Sequence, residues 1–239
     1  MDIQLLFIHG FGEDRRVWDD FVTQFDWDVP IEIVDFSDWV DCKTVREYAL
    51  KIKNSLPAGS FHVIGHSMGG YIALELAQQF PNLVSSVTMV NSTAKADSDE
   101  KKSHRDKTIE FLHQHGTELF IDSFLPNMFA PSKRAQHQEL ILQLIERYRT
   151  LSNQALMSAT ESMKNRLDFQ QFLHETSIPF LFIAGEEDSF FTPESILEYL
   201  KFPGSKHSLV TLPNVGHHAT YEAPIAVQYL IAEFVSNNG

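Results

Sequence analysis

The fold is decided by the stretch Phe61-His62-Val63-Ile64-Gly65-His66-Ser67-Met68-Gly69-Gly70-Tyr71-Ile72-Ala73-Leu74. Its apolar, β-branched beginning predicts a buried strand, and the apolar spacing over Tyr71–Phe80 predicts a helix. Between the two, Ser67 has a glycine two residues before it and another two residues after it, where larger side chains would collide with the neighbouring strand and helix. This G-x-S-x-G pattern is typical of a strained turn that raises a serine hydroxyl clear of a sheet and aims the next amide, that of Met68, at the same point.

Length and composition limit the class of protein. A chain of 239 residues fits one domain, and 43% hydrophobic residues are enough for its core. The sequence has no apolar run of about 18 residues and no signal-peptide features over residues 1–7, so we expect a cytoplasmic protein without a membrane span. The net charge of −13 argues against nucleic acids and anionic membranes as partners. The single cysteine, Cys42, excludes an internal disulfide and a cysteine-rich metal site.

Strand and helix patterns alternate along residues 1–93. The predicted strands cover Ile3–Ile8, Ile31–Asp35, the run before Gly65 and Val84–Val90. The predicted helices cover Arg15–Phe25, Val45–Leu56 and Tyr71–Phe80. This alternation predicts a mainly parallel sheet with helices on both faces. Reactive residues of such sheets lie at the carboxyl ends of strands, where the sequence places His9, Asp35, Ser67 and Asn91.

The pattern changes over residues 94–175, where strand signals disappear. Charged helical stretches replace them over Lys101–His115, Thr117–Phe124, Ser132–Thr150 and Asn153–Asn165. Because this is long for a single crossover, we expect an all-helical lid at 94–175, inserted into a core formed by 1–93 and 176–239. Phe124 and Met128 are candidates for the roof of the pocket, although apolar stripes on helices usually pack within their own bundle.

The strand pattern returns over Ile178–Ala184, which runs into Gly185-Glu186-Glu187-Asp188. A helix is predicted over Pro193–Leu200, followed by a last strand, Ser208–Leu212, and the loop Pro213-Asn214-Val215-Gly216-His217-His218. A closing helix is predicted over Pro224–Val235, with residues 236–239 as a frayed tail.

Together these segments resemble the α/β-hydrolase superfamily over nearly the whole chain. The resemblance rests on His9-Gly10-Phe11 with Trp18 downstream, on Gly65-His66-Ser67-Met68-Gly69-Gly70, and on Gly185-x-x-Asp188 with Gly216-His217. It implies the α/β-hydrolase fold with a helical lid. The chain starts at what is the third strand of larger members, which implies about six mainly parallel strands flanked by helices. In place of the D-x-P-G-x-G-x-S loop of many relatives stands Asp35-Phe36-Ser37-Asp38-Trp39, which weakens inference of the substrate.

The resemblance implies a triad of Ser67, Asp188 and His217, in the chain order that this fold uses. A serine hydroxyl is a poor nucleophile at neutral pH, so His217 would take its proton. Asp188 would hold the imidazole and stabilise its charged form. By the same resemblance the backbone N–H groups of Phe11 and Met68 form the oxyanion hole, each donor being worth about 3 kcal/mol.

Neighbouring residues compete for two of these positions. Glu186 and Glu187 precede Asp188, but the family pattern G-x-x-D fits Asp188. His218 adjoins His217, but the family places its base directly after a glycine.

The remaining candidates concern binding. His66, at the variable position of the elbow, is expected in packing or at the pocket edge, and the predicted substrate-binding residues are Phe11, His66, Phe124 and Met128. His113 and His115 point to different faces of one helix, so we predict no metal and no cofactor.

The same triad serves several reactions, and the fold does not choose among them. A serine at position 67 argues against the haloalkane dehalogenase and epoxide hydrolase branches, which carry aspartate there. The elbow Gly-His-Ser-Met-Gly-Gly is widespread among carboxylesterases, so we expect hydrolysis of a small ester or thioester through an acyl-Ser67 intermediate. The alternatives are a carbon–carbon bond hydrolase or a menaquinone-pathway-type lyase, and a non-catalytic ligand receptor. The lyase would need cationic residues in its pocket, for which the lid offers Lys133, Arg134, Arg147, Arg149 and Arg166.

Overall fold

The computed structural model of this chain describes residues 4–25, 27, 29–202 and 206–238. Within these residues, six strands form one parallel sheet in the order β2-β1-β3-β4-β5-β6, and the predicted fold class is confirmed. The strands are β1 (Gln4–Ile8), β2 (Ile31–Val34), β3 (Phe61–His66), β4 (Val84–Val90), β5 (Phe180–Gly185) and β6 (Ser208–Leu212). The predicted start of β1 at Ile3 lies outside the described residues.

Helices connect the strands and cover both faces of the sheet. In chain order they are α1 (Arg16–Val22), α2 (Val45–Ser55), α3 (Met68–Gln79), α4 (Asp99–Phe124), α5 (Gln138–Tyr148), α6 (Asn153–Lys164), α7 (Gln170–Glu175), α8 (Pro193–Leu200), α9 (Ala219–Glu222) and α10 (Pro224–Asn238). Short 3₁₀ helices cover Pro81–Leu83 and Leu125–Met128. In the described part of the chain, none of these helices combines the length and the apolar character that crossing a bilayer requires.

Alternating side chains of the strands build a core on each face of the sheet. On one face, Leu5 and Phe7 pack with α1 and α10, and the ring of Phe7 lies 4.9 Å from that of Trp18. On the other face, Leu6 and Ile8 pack with α2 and α3. Successive residues of a strand point to opposite faces, so strands covered on both sides read as continuous apolar runs.

A helical segment separates two strands that are neighbours in the sheet. β4 and β5 pair directly, with Val87 opposite Phe180, yet α4 to α7 lie between them in the sequence. We call residues 91–179 the helical insertion. Gly116 breaks α4 where the sequence predicts a boundary, since its φ of +78° is a conformation that glycine adopts without strain. The helix predicted from Ser132 begins only at Gln138, because residues 131–137 form consecutive turns.

Other element ends also differ from the predictions. α1 stops at Val22, because the N–H groups of Gln24 and Phe25 bond to carbonyls three residues back rather than four. β5 begins at Phe180, two residues later than predicted, because Pro179 has no N–H to donate to the sheet. Residues 236–238, predicted to be frayed, continue α10, and the side chain of Asn238 donates to the carbonyl of Phe234 at 2.8 Å. Gly239 lies outside the described residues.

Candidate active site

The turn between β3 and α3 holds Ser67 in an unusual backbone conformation, with φ of +49° and ψ of −113°. A Cβ on Gly65 would overlap the backbone of Gly69, and a Cβ on Gly69 would overlap the carbonyl of Ile8. The hydroxyl of Ser92 donates to the carbonyl of Ser67 at 2.7 Å and helps to hold the turn. The glycines of the elbow are therefore required by close backbone contacts on both sides.

The structure brings together the side chains of Ser67, Asp188 and His217, which follow β3, β5 and β6. Nδ1 of His217 donates to Oδ2 of Asp188 at 2.8 Å, and the hydroxyl of Ser67 donates to Nε2 of His217 at 2.9 Å. All three residues are buried, with Ser67 the most exposed at 8%. A hydroxyl, an imidazole and a carboxylate joined in this order can move a proton from the serine and stabilise the imidazolium that results.

The carboxylate of Asp188 is held by several further groups. Asn91 donates from Nδ2 to its Oδ2 at 3.0 Å, and the backbone N–H groups of Phe190 and Phe191 donate to its Oδ1 at 2.8 and 3.1 Å. Burial raises the pKa of Asp188, but His217 and these hydrogen bonds together lower that pKa below its ordinary value. The carboxylate therefore stays ionised beside the imidazole.

The neighbouring candidates for the acid and the base point elsewhere. Glu186 accepts from the N–H of Asn214 at 3.2 Å, and Glu187 accepts from the N–H of Ser132 at 3.0 Å. His218 is completely buried, and its ring stacks at 5.3 Å on that of His66. Of these neighbouring acids and histidines, it is Asp188 and His217 that contact each other next to the serine.

The loop after β1 lies directly against Ser67. A Cβ built on Gly10 would stand 3.1 Å from the Cβ of Ser67, so a glycine is needed for this approach. Phe11 comes next, and its ring packs at 5.6 Å on that of Phe124. Met68 is the first residue of α3, so its N–H lies at the positive end of that helix. The amides of Phe11 and Met68 thus lie on two segments that meet at Ser67, and their oxyanion role stays a prediction.

A cavity of about 480 Å³ lies between α4 and the segment that follows β5. Its aromatic lining residues are Phe11, Phe120, Phe124, Phe190 and Phe191. Its charged lining residues are Glu100, Lys101 and Arg105 of α4, and Arg105 pairs with the buried Asp97 at 3.1 Å. The ring of Phe190 also lies 4.7 Å from that of His217, so the cavity adjoins the three side chains. The sequence did not single out these cations, because charges on a helix usually mark its solvent face.

Of the four predicted pocket residues, Phe11 and Phe124 line this cavity, whereas His66 and Met128 do not. His66 is fully buried, and both of its ring nitrogens bond to protein atoms. Met128 is 1% exposed, and its carbonyl accepts from the N–H groups of His217 at 2.7 Å and His218 at 3.1 Å. The prediction for these two is corrected: the elbow turns Ser67 outward and His66 into the protein, and the side chain of Met128 packs in the hydrophobic core.

Four of the five cations named from the sequence of the insertion, all but Lys133, are engaged in other contacts. Arg166 is buried against Asp97, with 2.7 Å between Nη1 and Oδ1, and its guanidinium lies 4.3 Å from the ring of Tyr71. Arg147 pairs with Asp20 of α1, and Arg149 pairs with acidic residues of the insertion. Arg134 donates to the carbonyl of Phe129 at 3.5 Å. The cations that face the cavity are therefore those of α4.

One buried cluster carries groups that could bind a metal ion, with potential ligand atoms of Glu13, His66 and His218 within 4.8 Å of one another. A zinc ion needs its nitrogen and oxygen ligands about 2 Å away on different sides of the ion. Nδ1 of His66 and Oε1 of Glu13 already stand 2.6 Å apart, at hydrogen-bond distance, so no ion fits between them. The cluster is described better as a hydrogen-bonded network.

Comparison with known proteins adds a family and several relatives. A family model described as the alpha/beta hydrolase fold matches residues 9–224. The chain is 26% identical over 254 residues to 2-succinyl-6-hydroxy-2,4-cyclohexadiene-1-carboxylate synthase of Salmonella newport, covering 97% of this chain and 93% of the relative. It is 26% identical over 257 residues to pimeloyl-[acyl-carrier protein] methyl ester esterase of Neisseria meningitidis, covering 95% and 91%. A thermophilic esterase from Thermogutta terrifontis, 23% identical, matches with a TM-score of 0.87 over 98% of this chain and 90% of its own.

Proposed function

The chain belongs to the alpha/beta hydrolase fold family, and from this premise we propose that it is a serine hydrolase that cleaves a small carboxylic ester or thioester. The observation that carries the proposal is the hydrogen-bonded line from Ser67 through His217 to Asp188. This line lies beside a cavity of about 480 Å³, which suits a small-molecule substrate.

In the first half of the reaction, Oγ of Ser67 attacks the carbonyl carbon while Nε2 of His217 takes the hydroxyl proton. Asp188 stabilises the imidazolium, and the N–H groups of Phe11 and Met68 donate to the tetrahedral oxyanion. Collapse of this intermediate breaks the bond to the alcohol or thiol, which leaves with the proton from His217. In the second half, His217 takes a proton from water as the water attacks the acyl-Ser67 ester. The carboxylic acid leaves, and Ser67 recovers its proton.

The helical insertion acts in this proposal as a lid. Its α4 contributes aromatic and cationic residues to the cavity wall. Its Met128 carbonyl bonds to the loop that carries His217. Glu222 accepts from the N–H groups of Ala130, in the insertion, and of Gly216, each at 2.8 Å, which ties the insertion to the same loop.

The test compares turnover of p-nitrophenyl esters from acetate to laurate by the wild type and by Ser67→Ala. We expect turnover by the wild type and a loss on the order of 10⁶-fold in kcat for Ser67→Ala. The optimum chain length would measure the acyl part of the cavity. Equal turnover by the two proteins would exclude Ser67 as the nucleophile.

A second candidate is a lyase or a carbon–carbon bond hydrolase using the same three side chains. It is favoured by Lys101 on the cavity wall, which suits a substrate with a carboxylate, and by the 26% identity to a synthase whose named product is a carboxylate. Absence of ester turnover by a wild-type protein whose Ser67 still reacts with a fluorophosphonate would favour this candidate.

A further inference from the structure

Glu13 is a buried carboxylate that the proposed mechanism does not use. It is 2% exposed, and its Oε1 accepts hydrogen bonds from the N–H of Gly10 at 2.5 Å and from Nδ1 of His66 at 2.6 Å. Gly10 directly precedes Phe11, and His66 directly precedes Ser67. One carboxylate oxygen therefore holds the neighbour of a proposed oxyanion donor and the neighbour of the proposed nucleophile.

The hydrogen bonds of His66 define its charge. Nδ1 faces the carboxylate of Glu13, and Nε2 faces the carbonyl of His217 at 2.8 Å. Burial raises the pKa of Glu13, but the charge and hydrogen bond of His66 lower it to about 2, so Glu13 is a carboxylate. Both partners are then acceptors, so both ring nitrogens carry hydrogens and His66 is an imidazolium. Burial opposes this charge, but Glu13 and the carbonyl of His217 raise the pKa of His66 above its ordinary value.

The pair connects loops that are far apart in the sequence. His66 lies 53 residues from Glu13 and 151 residues from His217. It is the last residue of β3, and the loops that carry Glu13 and His217 follow β1 and β6. A Cβ on Gly10 would lie 2.8 Å from Oε1 of Glu13 and 2.9 Å from Nδ1 of His66. The loop after β1, which carries Gly10 and Phe11 and is called the oxyanion loop below, is therefore packed tightly onto the pair. A shift of this pair would move the loops that carry the reacting groups.

Net stability is a weak reason for such a pair. Removing two charges from water costs about as much as their attraction returns, so a buried ion pair is often no better than apolar residues of the same volume. Its charge-assisted hydrogen bonds are, however, short and directional. Acyl transfer depends on donors placed to within a few tenths of an ångström of the developing oxyanion. Directional bonds at this point therefore contribute more to the placement of the oxyanion donors than to the stability of the fold.

We propose that Glu13 and His66 act as a charged pair that positions the oxyanion loop and the loop of His217 around Ser67. The inference rests on the proposed function, and it makes Glu13 and His66 positioning residues that touch no substrate. In Glu13→Gln the carboxylate is lost and His66 becomes neutral, so its bond to the carbonyl of His217 or its bond to residue 13 weakens. The loops that carry the Phe11 amide and His217 are then no longer held by the same ion pair.

The first measurement is the rate at which a fluorophosphonate labels Ser67, which needs no knowledge of the natural substrate. We expect labelling by Glu13→Gln to be about 10- to 100-fold slower than by the wild type, since displacements of about 1 Å can cost this much. The matched control is Glu75→Gln, because Glu75 is also a buried glutamate (3% exposed) but lies on α3 with Gln79 as its partner. Glu75→Gln should label at the wild-type rate. Where an ester is turned over, the loss should fall on kcat and leave KM within about twofold.

The second measurement reads the charge of His66 directly. Nitrogen NMR of the histidine rings, assigned with His66→Gln, should show both nitrogens of His66 protonated at pH 8 in the wild type and one of them unprotonated in Glu13→Gln. Because the two residues act as one unit, Glu13→Gln combined with His66→Gln should label no more than about threefold slower than the slower single variant.

The outcomes separate this inference from the proposed function. Wild-type labelling rates in folded Glu13→Gln, or a neutral His66 in the wild type at pH 8, would overturn the pair's role. Should Glu13→Gln fail to fold, Glu13→Asp keeps the charge but is one methylene too short for both contacts, and labelling at the wild-type rate would overturn the role equally. A wild type that labels at Ser67 but hydrolyses no ester would contradict the ester proposal and leave both tests of Glu13 in force.

Discussion

At the residue scale, hydrogen-bond donors converge on Asp188, whereas the neighbouring Glu186 and Glu187 bond elsewhere. Two backbone N–H groups, the amide of Asn91 and the ring of His217 converge on its two oxygens. Asn91 itself has φ of +48°, and it also donates to the carbonyl of Gly216 at 2.9 Å. These bonds fix the carboxylate of Asp188 relative to the loop of His217. In this position a carboxylate stabilises the His217 imidazolium more than an amide of the same shape would.

We therefore expect Asp188→Asn to lower kcat by about 10⁴-fold. The amide oxygen would keep the two backbone N–H bonds, so the NH₂ group would donate to Nδ1 of His217, select the wrong tautomer of the ring and leave the imidazolium without a counter-charge. Steady-state kinetics on the best p-nitrophenyl ester measures this loss. Glu187→Gln is the matched control one residue away, since Glu187 bonds to Ser132, and it should keep wild-type kcat. Loss of activity in Glu187→Gln with full activity in Asp188→Asn would move the acid role to Glu187.

Some residues of the candidate site could be predicted from sequence patterns, and others are recognised only from their tertiary contacts. Ser67, Asp188 and His217 stand beside glycines in recognisable motifs, so their meeting could be predicted. Glu13 carries no such local signal, and Asn91 was marked only by its place at the end of a strand, because the importance of both comes from partners 53 and 97 residues away. For the same reason the sequence leaves His66 between packing and the pocket edge, since nothing in the elbow motif shows which way its ring turns.

At the scale of elements, α4 determines the character of the cavity. This helix lies between β4 and β5 in the sequence and contributes aromatic residues and cations to one lining. Nζ of Lys101 donates to the carbonyl of Phe190 at 3.3 Å and lies 4.9 Å from the ring of Phe191. An ammonium group held at the mouth of an aromatic cavity suits a substrate with an apolar body and an anionic end.

Lys101→Met should therefore raise KM for a p-nitrophenyl ester whose acyl chain ends in a carboxylate by about fivefold, the value of a partly exposed ion pair of about 1 kcal/mol. KM for a neutral ester of equal chain length should stay within about twofold. Lys102→Met is the matched control, because Lys102 is the adjacent residue on α4 and pairs at 4.0 Å with Asp99. Equal KM values of wild type and Lys101→Met for the acidic ester would remove Lys101 from substrate binding.

At the scale of the whole molecule, the buried cluster of Glu13, His66 and His218 affects the stability of the protein as well as the position of the loops around Ser67. His218 is completely buried, and Glu13, His66, His217 and Asp188 are the charged or titratable groups that act on it. Burial, aided by the neighbouring histidines, outweighs the two acids and lowers the pKa of His218 from 6.5 to about 3. The folded protein therefore keeps this ring neutral where the unfolded chain protonates it.

The sign of the pH dependence follows from this difference. Between about pH 6.5 and 3 the unfolded chain binds one proton at His218 that the folded protein does not, so stability falls as the pH falls, by about 1.4 kcal/mol per pH unit from this group. Urea unfolding at pH 7, 6 and 5 should show a shallower loss in His218→Phe than in the wild type. The exposed variant His113→Asn serves as the control. Parallel curves for wild type and His218→Phe would contradict a neutral, buried His218.

The sequence by itself determined the parallel α/β sheet, the elbow at Ser67 and the motifs that carry Asp188 and His217. These depend on local signals: strand and helix periodicity, glycines required by close backbone contacts, and residues at strand ends. Tertiary structure decided which groups meet. It brought Glu13 and His66 together next to Ser67, buried the side chain of Met128, and directed cations of α4 toward the cavity. The direction of a side chain in a long insertion depends on how its helices pack against each other and against the sheet. The hydrophobic periodicity of the sequence does not determine that packing.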